Sequence, residues 1–181
     1  MVNTAWAAAT AVVVAEEING TKNADNITGT VNKDVIKGLN GNDTLVDKEA
    51  GDDISGGGGD DIIYGNDTLV GKEAGDDISG GGGDDIIYGN DGRDILWGKA
   101  GNDHLEGEKG NDRLYGDRGN DVLVGGSGND TFTGGPGKDV FICRTGSDTI
   151  RDFNTTQKDT IPENDCEKVK YANTEYFISL Q

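Results

Sequence analysis

The sequence is poor in the residues that build a conventional globular core. Only 33% of its 181 residues are hydrophobic, and proline occurs twice and histidine once. An average soluble domain contains roughly 45–50% apolar residues when glycine is counted among them. Here 31 glycines, which have no side chain to bury, would make up a large part of that total, so a large core of the usual kind is excluded. No apolar run approaches the ~20 residues of a membrane-spanning helix, and we therefore expect no membrane span.

Basic residues are scarce as well. Lysine and arginine total 16 against 34 acids, which gives a net charge of -18 at pH 7. A surface of this charge repels phosphate, so nucleic acid is not an expected partner. The acids are 25 Asp and only 9 Glu. The short Asp carboxylate suits a tight turn that holds a hard cation such as Ca²⁺ through oxygen atoms.

Glycine is abundant, with 31 residues, and it marks a nine-residue repeat that starts at Gly20. Position six of each frame is aspartate: Asp25, Asp34, Asp43, Asp52, Asp61, Asp76, Asp85, Asp94, Asp103, Asp112, Asp121, Asp130, Asp139 and Asp148. Position eight is always Ile, Leu or Phe, from Ile27 to Ile150. The glycine-rich first six residues predict a sharp turn, and the last three predict a short strand that points position eight inward.

Several frames follow the pattern GGxGxDxUx, where U is a large apolar residue. The closest are GGGGDDIIY at 56–64 and 80–88, GGSGNDTFT at 125–133 and GGPGKDVFI at 134–142. They resemble the hemolysin-type calcium-binding repeat of the RTX family, over about residues 20–153. The resemblance implies an all-β fold, a parallel β-roll or right-handed β-solenoid with two frames per coil, a short N-terminal segment and a C-terminal cap.

The resemblance also implies Ca²⁺ sites between turns stacked 18 residues apart, about eight ions by the count of complete turns. Each ion takes carbonyls from positions one and three of one turn, carbonyls from positions two and four of the next, and both Asp side chains. Carried over, Gly89, the carbonyl of Asp91 and Asp94 pair with Glu108, Gly110 and Asp112. The expected ligands are Asp43, Asp61, Gly80, Gly82, Asp85, Gly89, Asp91, Asp94, Gly98, Ala100, Asp103, Gly107, Glu108, Gly110, Asp112, Gly116, Asp117, Gly119, Asp121, Gly125, Gly126, Gly128, Asp130, Gly135, Gly137, Asp139 and Asp148.

The core of such a coil is too thin to fold the chain alone. Each frame buries one large apolar side chain, worth roughly 1.5–3 kcal/mol. Ordering nine residues costs about 1–2 kcal/mol of backbone entropy for each of them. We therefore expect calcium binding and folding to be one event.

Some frames depart from the pattern. Asn23 and Asn32 stand at position four, where glycine is favoured, and predict weaker sites. Ala50 and Ala74 stand at the same position and are each followed by glycine, which predicts a shifted turn without a full site.

A tandem duplication interrupts the nine-residue frame. Residues 41–64 recur as 65–88 with one change, from Asp47 to Gly71, and the unit is 24 residues long. Its remainder, GNDTLV at 65–70, lacks the first half of a turn. We expect a clipped turn that the roll accommodates as a local bulge; the alternative is a functional hinge.

The ends have a different composition, and we divide the chain into an N-terminal segment 1–19, repeats 20–148 and a tail 149–181. The apolar N-terminal segment either caps the open end of the roll or docks as an arm on a neighbouring molecule. The stretch 146–161 resembles the run-out that follows the last repeat in the family. The side chains expected to close this end are Phe153, Ile161, Tyr171, Tyr176 and Phe177.

Both cysteines, Cys143 and Cys166, lie in or next to this tail. A disulfide that fixes the cap is the expectation for an exported protein, and free buried thiols are the alternative. The resemblance implies export by type I secretion and an extracellular or cell-surface location.

No catalytic motif is present. The sequence contains neither HExxH nor GxSxG. Its one histidine, His104, falls at outward position seven of its frame and is expected to be a solvated strand residue. We therefore expect that the chain is not an enzyme.

The outward strand positions contain the remaining information on function. One sheet is expected to present an apolar patch that the tail or another subunit covers, formed by Val122, Val124, Val140 and Ile142. The other sheet is expected to present Ile95, Trp97, Arg113 and Tyr115.

Two functions fit these features. The first is a secreted calcium-binding structural protein that assembles into a fibre, surface layer or matrix. It would be a homo-oligomer or filament joined through its apolar outer face and N-terminal arm. The alternative is the calcium-dependent folding and secretion module of a larger RTX enzyme, toxin or adhesin.

Overall fold

The structure is a computed structural model, which describes residues 16–46, 52–59, 61–65, 67–162, 166, 168–171 and 177–179. The described residues form strands and no helix. One sheet has eight strands, β1 Glu16–Asn19, β3 Asp34–Asn40, β5 Asp52–Gly58, β7 Asp67–Glu73, β9 Ile86–Gly92, β11 His104–Gly110, β13 Val122–Ser127 and β15 Val140–Thr145. The other has ten, β2 Asn26–Thr28, β4 Thr44–Val46, β6 Ile62–Tyr64, β8 Asp77–Gly82, β10 Ile95–Ala100, β12 Arg113–Arg118, β14 Thr131–Thr133, β16 Thr149–Phe153, β17 Lys168–Tyr171 and β18 Phe177–Ser179.

The chain alternates between the two sheets, one strand in each per coil. Neighbouring strands are parallel, except that β17 and β18 are antiparallel. The register advances by one coil of two frames, so that Leu96 lies opposite Leu114 and Leu105 opposite Leu123. This is a parallel β-solenoid, and the predicted all-β parallel roll is confirmed.

Most strands are longer than the predicted three residues. They run on through the first residues of the next frame, as in β10, where Lys99 is in register with Asp117 and Ala100 with Arg118. Because the glycine-rich residues of one coil lie above those of the next, their backbone groups pair from coil to coil. The turns therefore add to the sheets as well as reversing the chain.

The core is a single file of apolar side chains between the two sheets. It contains position eight of every frame, all at most 9% exposed: Ile27, Ile36, Leu45, Ile54, Ile63, Leu69, Ile78, Ile87, Leu96, Leu105, Leu114, Leu123, Phe132, Phe141 and Ile150. One large side chain per frame is buried, as the repeat predicted. At the C-terminal end the core widens, because Phe141 contacts both Phe132 and Phe153 at ring-centroid distances of 6.1 and 6.2 Å.

The clipped turn shortens one coil without breaking either sheet. Ile54 is in register with Leu69, and Ile63 with Ile78, which are steps of 15 residues instead of 18. Leu69 and Ile63 are both fully buried. The missing half-turn is therefore accommodated within the edge turn, while the strand ladder continues through it.

The two ends are finished differently. At the N-terminal end, β1 pairs with β3 and Ile18 packs partly against the core; residues 1–15 of the predicted arm lie outside the described residues. At the other end the ladder continues past residue 148 into β16, and a disulfide joins Cys143 to Cys166.

Of the five side chains expected to close the C-terminal end, two are described. Phe153 is buried, and Ile161 packs partly buried against the core. The side chains of Tyr171, Tyr176 and Phe177 lie outside the described residues.

The predicted outer faces are recovered, with one difference. His104 is partly exposed, with its Nε2 atom 3.9 Å from the Glu106 carboxylate and its ring at the edge of Tyr88. In the apolar patch of the eight-stranded sheet, Val124 is only 3% exposed. Val122, Val140 and Ile142 are half-buried, so the patch is less open than its composition suggests.

Candidate metal centre

The position-six aspartates form two ladders, one along each edge of the roll. Asp112 shows the arrangement: its Oδ1 atom accepts a hydrogen bond of 2.9 Å from the backbone N–H of Asp94, one coil earlier. The first ladder is Asp25, Asp43, Asp61, Asp76, Asp94, Asp112, Asp130 and Asp148, and the second includes Asp85, Asp103, Asp121, Asp139 and Asp159. One carboxylate oxygen of each rung therefore holds adjacent coils in register.

The second oxygen, Oδ2, has a different environment. It is buried and has no hydrogen-bond partner in Asp43, Asp94, Asp103, Asp112, Asp121, Asp130 and Asp139. A buried, unpaired carboxylate oxygen is costly, and its repetition at one frame position indicates a missing positive partner.

Position-one glycines leave the space that these oxygens face. A Cβ atom built on Gly107 would collide with Oδ2 of Asp112 and would lie 2.8 Å from the carbonyl oxygen of Gly125 in the next coil. Gly116 stands in the same relation to Asp121 and to the carbonyl of Gly134. Each turn thus brings a carboxylate oxygen and a backbone carbonyl of the neighbouring coil to one small space.

Burial of these carboxylates changes their acidity. It raises the pKa of Asp112 and Asp139 from 3.8 to about 7, and neighbouring aspartates in the ladder contribute in the same direction. It raises the pKa of Asp94, Asp121 and Asp130 to about 6. At neutral pH these groups therefore require either a proton or a cation.

The donor set fits Ca²⁺. Calcium takes six to eight oxygen ligands, carboxylates and backbone carbonyls among them, in flexible geometry. The turns supply such oxygens, and the unpartnered Oδ2 atoms lack the charge that a cation provides. Within the described ranges no three His, Cys, Asp or Glu side chains converge on one point. The arrangement is one carboxylate per turn beside backbone oxygens.

The structure places the predicted ligands on the two turn edges, at frame positions one to four and six. Asp91 and Asp117, expected to act through the backbone, direct their carboxylates outward to Lys109 at 2.8 Å and Lys99 at 3.2 Å. Position two takes a left-handed backbone even without glycine, as at Glu108 (φ 72°) and Asp117 (φ 68°). Their carbonyls are thereby turned within the edge turn.

The frame at 71–79 keeps its turn in place instead of shifting it. Ala74 itself adopts the left-handed backbone at position four, with φ 72°, and β7 stays in register with β9. A Cβ atom on Gly92 would collide with the carbonyl oxygen of Ala74. The expected shift onto Gly75 does not occur in this frame, because the pairing on both sides fixes its register. Ala50 lies outside the described residues.

The first two frames satisfy their aspartates internally. Oδ2 of Asp25 accepts hydrogen bonds from the N–H and the hydroxyl of Thr21, at 2.5 and 2.9 Å. Thr30 makes the same two contacts with Asp34, at 2.6 and 3.0 Å. These threonines at position two occupy the oxygen that faces the turn in later frames. The weaker sites expected there from Asn23 and Asn32 stay a prediction, and the threonine contacts favour it.

Sequence analysis missed the last rung of the second ladder. Oδ1 of Asp159 accepts a 3.1 Å hydrogen bond from the N–H of Asp139, and burial raises the pKa of Asp159. Asp159 could have been recognised from the sequence, because Asp159 and Ile161 repeat the spacing of positions six and eight after a two-residue insertion. Asp152 precedes that insertion and keeps the regular 18-residue step, and it accepts hydrogen bonds from the N–H groups of Gly134 and Gly135 at 2.9 and 2.8 Å.

A solenoid whose edges are ladders of buried aspartates beside glycine carbonyls is a metal-binding repeat protein by architecture. The sequence model of the RTX calcium-binding nonapeptide repeat matches residues 15–46, 49–67, 64–96, 88–123 and 115–150. The chain belongs to this family, as its motifs predicted, and calcium binding follows from membership. The search of curated proteins found no match to the chain. Among the described residues, no helix is long and apolar enough to cross a membrane.

Proposed function

We propose that the chain is a secreted structural protein that folds when it binds Ca²⁺. The observation that carries the proposal is the row of buried Oδ2 atoms without a hydrogen-bond partner, repeated from Asp94 to Asp139. The proposed ligands are the turn residues derived from the family pattern, with about eight ions between complete turns. The division into segments 1–19, 20–148 and 149–181 is part of the proposal.

Location follows from the same chemistry. Extracellular calcium modules work with weak sites, roughly 10⁻⁴–10⁻³ M, which fill only outside the cell. With a net charge of -18 and no bound cation, the chain would remain expanded inside the cell and suited to export through a type I channel. No catalytic step is included in the proposal.

Self-assembly is supported by the ends and faces of the roll. β1 and β2 are the terminal strands of the two sheets at the N-terminal end among the described strands. A strand at the end of a sheet can pair with a strand of another molecule. Ile86 is 42% exposed on the outer face of the eight-stranded sheet, in register with Thr68 and His104. A second copy would bury both kinds of surface.

The test is molar mass by light scattering on a sizing column, first in chelator and then in millimolar calcium. We expect an expanded monomer that becomes a compact, polymerising species. An expanded monomer that becomes a compact monomer would reject self-assembly and favour a folding and secretion module of a larger RTX protein. A chain that is already compact in chelator at neutral pH would reject calcium-coupled folding.

A further inference from the structure

An aromatic groove lies on the outer face of the ten-stranded sheet. Outward position nine carries Tyr64, Ser79, Trp97 and Tyr115 on the adjacent strands β6, β8, β10 and β12. Trp97 and Tyr115 stack, with ring centroids 5.8 Å apart and planes at 14°. Ser79 interrupts the row and leaves a cavity of about 230 Å³ between Tyr64 and Trp97.

The cavity has apolar walls and a polar rim. Ile62, Tyr64 and Trp97 supply the apolar surface, and Tyr64 is 50% exposed. The polar lining consists of Asp77, Ser79 and Lys99. Small-molecule sites are usually concave and mainly apolar, with a small number of polar groups directed at the ligand.

The width of the gap suits one saturated ring. Tyr64 and Trp97 lie two strands apart, which is roughly 9.6 Å at the usual strand spacing. Van der Waals contact on both faces of an inserted ring needs about 7–8 Å. The faces of aromatic rings carry partial negative charge and attract the C–H groups of a saturated ring. The hydroxyl groups of the ligand would reach the carboxylate, hydroxyl and ammonium groups at the rim.

The charge of the rim selects among ligands. Lys99 is already paired with Asp117 at 3.2 Å and lies 5.4 Å from the centroid of the Trp97 ring. The exposed Asp77 carboxylate adds negative charge at the same opening. An anionic ligand is therefore disfavoured, and an uncharged one is preferred.

We propose that this groove binds one ring of a neutral saccharide, with Tyr64 and Trp97 as its two walls. Ligand and calcium sites are then separate: the ions occupy the edges, and the saccharide occupies a sheet face. A roll that assembles at its ends would retain the groove on its side.

The duplication supplies a matched control. Tyr64 and Tyr88 stand in identical local sequence, DDIIYGND, yet Tyr64 lies on the ten-stranded sheet and Tyr88 on the eight-stranded sheet. Substituting either one removes the same ring from the same local frame, and only Tyr64 lines the groove.

The test uses the full chain in millimolar calcium with a Trp6→Phe background, which leaves Trp97 as the only tryptophan. The probes are pentamers of β-1,4-linked glucose and of N-acetylglucosamine, with a galacturonate pentamer as the anionic comparison. We expect a saturable change in Trp97 fluorescence with at least one neutral pentamer, with a Kd of about 1 mM. Tyr64→Ala should weaken binding at least tenfold, and Tyr88→Ala should change it less than twofold.

A second variant, Ser79→Tyr, should fill the gap and abolish binding while the calcium-dependent circular dichroism stays unchanged. No saturable response to either neutral pentamer would overturn the proposal, as would equal losses in the two tyrosine variants. Tighter binding of galacturonate would overturn the assignment of a neutral ligand. Loss of self-association in Tyr64→Ala, without any saccharide response in the parent chain, would assign the groove to a second copy of the chain instead.

Discussion

At the scale of single residues, the position-six aspartates from Asp94 to Asp139 perform two tasks with their two oxygens. Oδ1 accepts the N–H of the previous coil, and Oδ2 faces the turn. In Asp112 the second oxygen is buried without a partner, whereas in Asp25 it is bonded to Thr21. Asp112 is therefore a candidate calcium ligand, whereas Asp25, at the same frame position, is already hydrogen-bonded within its own turn.

This contrast predicts opposite consequences of one substitution. Asp112→Asn removes a buried charge, so the metal-free roll should become more stable, while calcium binding should weaken and at least one ion should be lost. We expect the calcium midpoint of folding to rise several-fold. Isothermal titration calorimetry and circular dichroism measure the stoichiometry and the midpoint.

Asp25→Asn is the matched control. Because Thr21 already satisfies Asp25, this change should leave the number of bound ions unaltered. Equal loss of ions in the two variants would contradict the distinction between the first frames and the later ones.

The raised pKa values predict how pH acts on the metal-free chain. Burial raises the pKa of Asp112 and Asp139 to about 7 from 3.8, the value at which the unfolded chain titrates. Between about pH 4 and 7 the folded chain therefore holds more protons than the unfolded chain, and its free energy of unfolding falls as the pH rises. In chelator we expect a compact chain near pH 5 and an expanded one near pH 7.5, measured by small-angle scattering. Compaction that instead increases with pH would refute the buried carboxylates as its cause.

At the scale of strands and turns, the duplication shows how tolerant the roll is. The 24-residue unit forms three half-coils, an odd number, so its second copy lies on the opposite sheet: Leu45 is on β4 of one sheet and Leu69 on β7 of the other. Both are fully buried. Position eight faces inward from either sheet, so its side chain is buried in the core whichever sheet the repeated unit occupies.

Restoring the clipped turn should therefore be favourable. Insertion of Gly-Asn-Asp between Tyr64 and Gly65 gives the frame GNDGNDTLV, which matches GNDGRDILW at 89–97. We expect the strands to stay in register with an 18-residue step, and the calcium midpoint to fall because a complete turn has been added. Titration of folding with calcium, followed by circular dichroism, measures the change.

The control insertion places the same three residues between Arg118 and Gly119, inside a complete turn. It should raise the calcium requirement. If both insertions raise the calcium midpoint of folding equally, the three inserted residues at Gly65 do not restore a calcium-binding turn.

The spacing of residues was enough to predict the core and the ladders. Asp94 and Leu96 occupy the places that positions six and eight require, because each depends only on the period of the chain. The capping by Thr21, the left-handed backbone of Ala74 and the length of the strands were not predictable in this way. They depend on which groups the neighbouring coil presents, and that is set only once the coils are stacked. Asp159 was missed because a two-residue insertion moved it out of the frame.

At the scale of the whole molecule, the roll is a one-dimensional stack in which each coil contacts only its neighbours. Such stacks depend on their ends, since a terminal coil has only one neighbour. The C-terminal end is held by the aromatic contacts of Phe141 and by the disulfide between Cys143 and Cys166. Cys143 stands at position one of the last frame. Every earlier full frame begins with glycine at this position, except the frame that begins at Asp47. A covalent bond thus finishes the stack at the last turn.

Removal of this bond should therefore loosen the stack from one end. The disulfide closes a sequence separation of 23 residues, and closure of a loop of this size is worth about 3 kcal/mol. In the Cys143→Ser, Cys166→Ser variant with calcium bound, we expect amide hydrogen exchange to accelerate by at least tenfold in β14–β16 and to change little in β9–β11. Uniform acceleration along the roll would show instead that the stack unfolds as one cooperative unit, in which the cap stabilises every coil equally. The N-terminal frames serve as the internal reference, since their threonine-capped turns lie at the opposite end from the cysteines.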